Sequence, residues 1–206
     1  KPKRVSVINR TQWARNSVLS GNYLYFADRD AGLVIAEISN PSSPTIESVT
    51  NFEGYPENIV ISGDYAYLAA DYGGLYVLDV SNKTKVKTIS NILIHRTIEN
   101  LCIKDNFLYI ADYSKGLCII DVTDKSSPIM VGERIIDGFP LDLCVSKNNL
   151  FICTRSGTVV WYDLSNPGEP LFKDKINLAG EAWGIFSSGK YIFVADGTEG
   201  IICLKI

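Results

Sequence analysis

Apolar and polar residues alternate along this chain in short bursts, and the bursts recur. From Gly63 to Ser81 the sequence reads GDYAYLAADYGGLYVLDVS. Its first half alternates aromatic with small residues, the period of a strand whose two faces meet different neighbours. Its second half is apolar on nearly every residue, as a strand covered on both faces requires. The pattern returns every 42 residues: Tyr25, Tyr67, Tyr109, Phe151 and Phe193 occupy one position. Two residues on stand Ala27, Ala69, Ala111, Cys153 and Ala195, and five further on Gly32, Gly74, Gly116, Thr158 and Gly200. A constant internal period means one supersecondary unit stacked on copies of itself.

Each unit predicts four short strands. In the second, Asn58 to Ser62 form the first strand, and Gly63-Asp64 is a two-residue hairpin turn. Tyr65 to Ala70 form the second strand, Leu75 to Val80 the buried third, and Val86 to Ile92 a more polar fourth. The turn after the third strand reads ISNPSSP at Ile38, VTDKSSP at Val122 and LSNPGEP at Leu164. Asn, Asp, Ser and Pro supply turn geometry, and the second proline opens the fourth strand. A strand that tolerates a missing N–H is an edge strand, so the fourth strand is the outer one.

The chain stops at Ile206, after the third strand of the fifth unit. Continuing the 42-residue period past that point brings the register back to Pro2, in line with Pro44, Pro128 and Pro170. Residues 1–9 are therefore expected to supply the missing outer strand and close the ring. Four antiparallel strands per unit and radial closure predict an all-β, five-bladed β-propeller, with residues 1–206 as one domain.

The third strand reads GLVIAEIS from Gly32, GLYVLDVS from Gly74, GLCIIDVT from Gly116 and TVVWYDLS from Thr158. With the Tyr-x-Ala upstream and the Pro-bearing turn downstream, the whole chain resembles the LVIVD-repeat family of β-propellers. The fifth unit departs most, with Lys205 in place of the strand's aspartate. The resemblance implies a binding or scaffold role, often outside the cell or at its surface. It implies no activity, because fold does not carry function.

Composition removes some functions. Net charge is −3 and no basic run stands out, so nucleic acid is not expected as the partner. No apolar run approaches the ~20 residues of a membrane-spanning helix, so no membrane insertion is expected. The five cysteines, Cys102, Cys118, Cys144, Cys153 and Cys203, form no C-x-x-C and fall where other units carry apolar residues. They are expected to be reduced and buried, with Cys102 and Cys144 the one pair placed to meet. Neither a metal nor any other cofactor is expected, since His95 is the only histidine and stands in a predicted exposed loop. Asn9 and Asn82 each open an Asn-x-Thr triplet, a glycosylation signal only in a eukaryotic secretory host.

Two polar columns are constant through the repeat. Glu37, Asp79, Asp121 and Asp163 precede the Pro-bearing turns, where a carboxylate accepts backbone N–H groups. Asn16, Asn58, Asn100, Asp142 and Gly184 lie in the first strands, where side chains satisfy the backbone at the strand's entry. Both are expected to build the repeat rather than bind. The varying columns are different. Trp13, Arg15, Arg29, Glu57, Glu99, Glu181 and Trp183 lie in or beside loops on one end of the units, where a rigid scaffold carries binding. Ring closure is expected to bring Trp183 and Glu181 toward Trp13, Arg15 and Arg29, and Glu57, Asp71 and Glu99 are expected to form an acidic side opposite. The favoured reading is a non-catalytic module that binds a protein, peptide or glycan there. One alternative is a glycoside hydrolase using Glu57, Glu99 and Asp142, which needs two carboxylates roughly 5–9.5 Å apart. The other is a spacer domain of a larger surface protein.

Overall fold

The computed structural model describes residues 1–9, 13–94 and 97–206. Their regular structure is five antiparallel sheets and a single 3₁₀ turn, Asp71–Gly73. The first sheet holds β1 (Ala14–Ser20), β2 (Tyr23–Asp28), β3 (Gly32–Glu37) and β4 (Thr45–Thr50). The second holds β5 (Pro56–Ser62), β6 (Tyr65–Ala70), β7 (Gly74–Asp79) and β8 (Lys87–Ile92). The third holds β9 (Ile98–Lys104), β10 (Phe107–Asp112), β11 (Gly116–Asp121) and β12 (Ile129–Arg134). The fourth holds β13 (Pro140–Ser146), β14 (Asn149–Thr154), β15 (Thr158–Asp163) and β16 (Leu171–Asn177). The fifth holds only β17 (Ala182–Ser188), β18 (Tyr191–Asp196) and β19 (Gly200–Lys205). Strands follow chain order in every sheet, a propeller-like arrangement of meanders.

The chain forms two compact units, Lys1–His95 with the first two sheets and Arg96–Ile206 with the other three. In the first, Leu33 and Ile35 of β3 pack on Leu68, Tyr76 and Leu78 of the next sheet. In the second, Leu117 and Ile119 pack with Leu150, Val160 and Tyr162, and Phe151 and Val159 with Ile185, Ile192 and Val194. The third strand of the first four sheets is thus covered on both faces, as its continuous apolar run predicts. The small column fits between sheets: Ala27, Ala69, Ala111 and Cys153 are fully buried. Tyr25, Tyr67 and Tyr109 are buried beside them, and burial pushes the Tyr67 phenol up to about 12.

The glycine that opens the third strand has a steric reason. Gly32, Gly74 and Gly116 take φ of 83°, 83° and 111°, disfavoured for any residue with a side chain. A methyl group on Gly32, Gly74 or Gly116 would also meet the carbonyl oxygen of Thr50, Ile92 or Arg134 at 2.1–2.2 Å, where the outer strand passes. In the fourth sheet this task moves one residue back, to Gly157 at φ 81°, which frees position 158 for threonine.

Two expectations need correction. Residues 1–8 form no strand, and among the described residues the fifth sheet holds three strands. The Ser6 hydroxyl instead donates to the carbonyl of Pro41, at 2.6 Å, in the turn after β3. Cys203 is exposed rather than buried and Cys102 and Cys144 are half-buried; Cys118 and Cys153 are buried as expected. All five cysteines are free, and burial pushes the Cys144 and Cys153 thiols up to about 12. His95 and the Arg10-Thr11 part of the Asn9 triplet lie outside the described residues. Among the described residues, no helix is long and apolar enough to cross a membrane.

Candidate functional site

The loops between second and third strands are held by a column the sequence reading missed: Asp28, Asp112 and Asp196, with Thr154 in the fourth sheet, all buried at the end of the second strand. Asp28 Oδ1 accepts the N–H groups of Asp30 and Ala31, and its Oδ2 accepts that of Trp13. Asp112 accepts Ser114 and Lys115 N–H in the same way. Asp196 accepts Thr198, Glu199 and Gly180 N–H, and these bonds hold its carboxyl below the usual carboxylate range. A carboxylate with several backbone donors rigidifies the loop it caps. The signal was present in the sequence as Asp at 28, 112 and 196, again 42 residues or a multiple apart. The varying residues beside these loops are presented from this frame.

In the first unit, Trp13, Arg15, Arg29 and Glu57 come together. Arg15 Nε donates to Glu57 Oε2 at 2.6 Å, and Arg29 Nε donates to Glu57 Oε1 at 2.5 Å. The Arg29 guanidinium lies 5.0 Å from the centre of the Trp13 ring, a cation–π distance. Backbone pairing of Arg29 N–H with the Trp13 carbonyl fixes the two residues side by side. Trp13 remains 54% exposed, so one side of the indole is available. Two guanidinium groups share one carboxylate, which leaves this cluster with one net positive charge.

Glu57, expected on an acidic side with Asp71 and Glu99, is thus engaged by two arginines. Arg15 and Glu57 hold the same place in neighbouring first strands, and strand adjacency turns a 42-residue separation into a contact. Asp71 and Glu99 are exposed.

In the second unit a similar cluster forms around Arg155. Its guanidinium lies 5.6 Å from the Trp183 ring centre and pairs with Glu181 at 3.4 Å. It also donates to the Tyr113 hydroxyl at 3.4 Å, and Tyr113 stacks on Phe139 with centroids 4.9 Å apart. Trp183 is 53% exposed. Arg155 occupies the repeat position of Arg29, three 42-residue periods further on. Phe139 takes φ 63° immediately before Pro140, a conformation bulky residues avoid. Backbone strain of this kind concentrates at functional loops. The two clusters sit in separate compact units.

The constant columns are structural, as expected. Asp79, Asp121 and Asp163 each accept the N–H of the residue two ahead, at 2.7–2.9 Å, and Glu37 does the same with Ser39. Bonds from Ser165, helped by Lys173, lower the Asp163 carboxyl to about 2. Asp142 accepts Leu143 N–H and the Asn100 amide on Oδ1 and Ile185 N–H on Oδ2. Burial pushes its carboxyl up, opposed by those bonds. Among the described residues, no three His, Cys, Asp or Glu side chains group as metal ligands would.

The LVIVD repeat model matches residues 13–51, 53–93, 96–134 and 179–206. The unmatched stretch is the fourth unit, the one whose glycine has shifted. No curated protein matches the sequence. Among solved structures, the chain is similar to a functionally unknown protein from Desulfotomaculum acetoxidans DSM 771, with a TM-score of 0.77 at 14% identity, covering 91% of this chain and 64% of that one. It is similar to the computationally designed protein Ika8, with a TM-score of 0.74 at 12% identity, covering 92% and 57%. The designed protein Ika4 has a TM-score of 0.64 at 14% identity, covering 77% and 96%. At these identities the likeness is one of fold, and the chain spans less than two thirds of the first and second of these structures.

Proposed function

The chain belongs to the LVIVD-repeat family, and from that premise we propose that it is a non-catalytic binding or scaffold module of the β-propeller type. It binds a protein, peptide or glycan partner through the loop end of its sheets. The observation that carries this reading is the pair of half-exposed tryptophans, each with an arginine over its ring and a glutamate fixing that arginine. A flat apolar face beside oriented guanidinium donors suits a sugar ring or an aromatic side chain next to a carboxylate. The surplus positive charge at Arg15 and Arg29 favours an acidic partner at Trp13. The aspartate column supports the reading too, because loops already ordered lose less entropy on binding.

The glycosidase alternative has less support. Glu57 is engaged by two arginines and Asp142 by three N–H donors, so neither is placed as a free acid or nucleophile. A setting outside the cell or at its surface is part of the proposal; fractionation of the source cells checks it.

Screening the isolated chain against glycan and peptide arrays tests the function. Binding that is lost in the Trp13→Ala, Trp183→Ala double variant, with an unchanged far-UV spectrum, is the expected result. A ligand bound equally well by that variant overturns this site, and no ligand in any class leaves the spacer reading in its place.

A further inference from the structure

The arginines of the two clusters are held differently. Arg15 and Arg29 reach Glu57 at 2.6 and 2.5 Å, and both Glu57 oxygens are taken. Arg155 reaches Glu181 and the Tyr113 hydroxyl only at 3.4 Å each, beyond the roughly 2.7–3.2 Å of an ordinary N–H···O bond. A guanidinium carries more N–H donors than these two loose contacts use, so Arg155 has donors left for a ligand. Glu181 already matches its charge.

Trp183 adds a donor beside it. The indole N–H has no protein acceptor among the described residues. Gly197 lies against that edge: a methyl group on it would stand 3.3 Å from Nε1 and 3.6 Å from Cδ1 of Trp183. Gly197 occupies the repeat position of Arg29, Asp71, Tyr113 and Arg155, where the other units carry a side chain. It does not have a positive φ, so its backbone has no need of glycine. What the glycine provides is room at the Trp183 N–H.

Phe139 forms the other end of the cluster. Its strained φ of 63° is held in place by the Arg155 N–H, which bonds to its carbonyl. The strain does not serve the core, because the ring stays 52% exposed on top of Tyr113. Strain that presents a ring to solvent fits a contact surface.

We infer that, within the binding reading proposed above and resting on it, this surface takes a proline-rich segment of a protein partner in the polyproline II conformation. Such a segment offers apolar rings and outward carbonyls, and its prolines have no N–H to satisfy. The cluster offers the complement: aromatic faces at Trp183 and Phe139, and donors on Arg155, the Trp183 indole and the Tyr113 hydroxyl. Arg155 touches both aromatic ends, which puts them on the order of one polyproline II turn apart, ~9 Å. The ligand helix is preformed, so little ordering entropy opposes binding. A glycan brings a donor with every hydroxyl, and the side chains of the cluster offer those donors little besides the second oxygen of Glu181.

Titration of the full chain with a capped decaproline peptide, against a glycine–serine peptide of equal length, tests the inference. Decaproline is expected to bind and the glycine–serine peptide not to. Gly197→Ala crowds the indole N–H without straining the backbone, so it weakens decaproline binding several-fold at an unchanged melting midpoint. Phe139→Asn, a residue that tolerates the same φ, also weakens it several-fold. Decaproline bound equally well by both variants overturns the inference. So does a chain that ignores decaproline yet binds a glycan or another peptide through Trp183, an outcome that leaves the binding reading standing. A chain that binds no ligand of any class overturns both.

Discussion

Arg15 and Glu57 are 42 residues apart in sequence and 2.6 Å apart in space, Nε to Oε2. They occupy one repeat position on neighbouring first strands. The same rule joins Asn100 to Asp142 and Arg155 to Tyr113. In this fold a separation of one period means contact, as a separation of four does on a helix.

The Arg15–Glu57 contact is partly exposed and contributes little by itself. A double-mutant cycle with Arg15→Ala and Glu57→Ala is expected to give a coupling of about 0.2–1 kcal/mol in urea unfolding. A larger coupling would show that the pair holds the two sheets together rather than orienting Arg29.

Replacing Trp13 alone by Ala is expected to weaken a bound acidic peptide more than replacing Trp183 alone. Only the Trp13 cluster carries surplus positive charge. Titration calorimetry of the two single variants at low and high salt checks this, and the difference shrinks as salt rises.

Asp142→Ala removes the acceptor for the Asn100 amide and for two backbone N–H groups. Donors left unsatisfied in a buried site cost about 1–3 kcal/mol, which equilibrium unfolding will measure. A neutral result would mean that water replaces the carboxylate.

Acid is expected to loosen the turns before the cores. The Asp163 carboxyl sits at about 2, and those of Asp79 and Asp196 are also lowered. A carboxyl lower in the fold than in the unfolded chain stabilises above the unfolded value of about 4. That contribution is lost as pH falls through the folded value. The protection of the Ser165 amide, its exchange rate taken relative to the free-peptide rate at the same pH, should therefore fall between pH ~4 and ~2, and that of Ser81 and Thr198 should fall as the pH drops below ~4. The slope should vanish at Ser165 in Asp163→Asn.

Ala69→Leu overfills a fully buried site between β5, β6 and β7. The expected cost is about 1–3 kcal/mol, read from the melting midpoint. An unchanged midpoint would show room that the burial of Ala69 does not suggest.

The sequence alone determined the repeat, its strand order and its buried column, because a 42-residue period imposes the same hairpins and the same core position on every unit. The turn aspartates were legible for the same reason: each bonds to residues two ahead, and local geometry is written locally. The tertiary structure decided what depends on a neighbour. Glu57 is neutralised rather than acidic because Arg15 and Arg29 reach it across a sheet boundary. Arg155 joins Tyr113, Glu181 and Trp183 from three sheets, an arrangement that no single repeat contains. Cys203 shares its column with the buried Ile35, Val77 and Ile119 and is exposed all the same. Residues 2–9 match the outer strands in register, yet residues 1–8 form no strand.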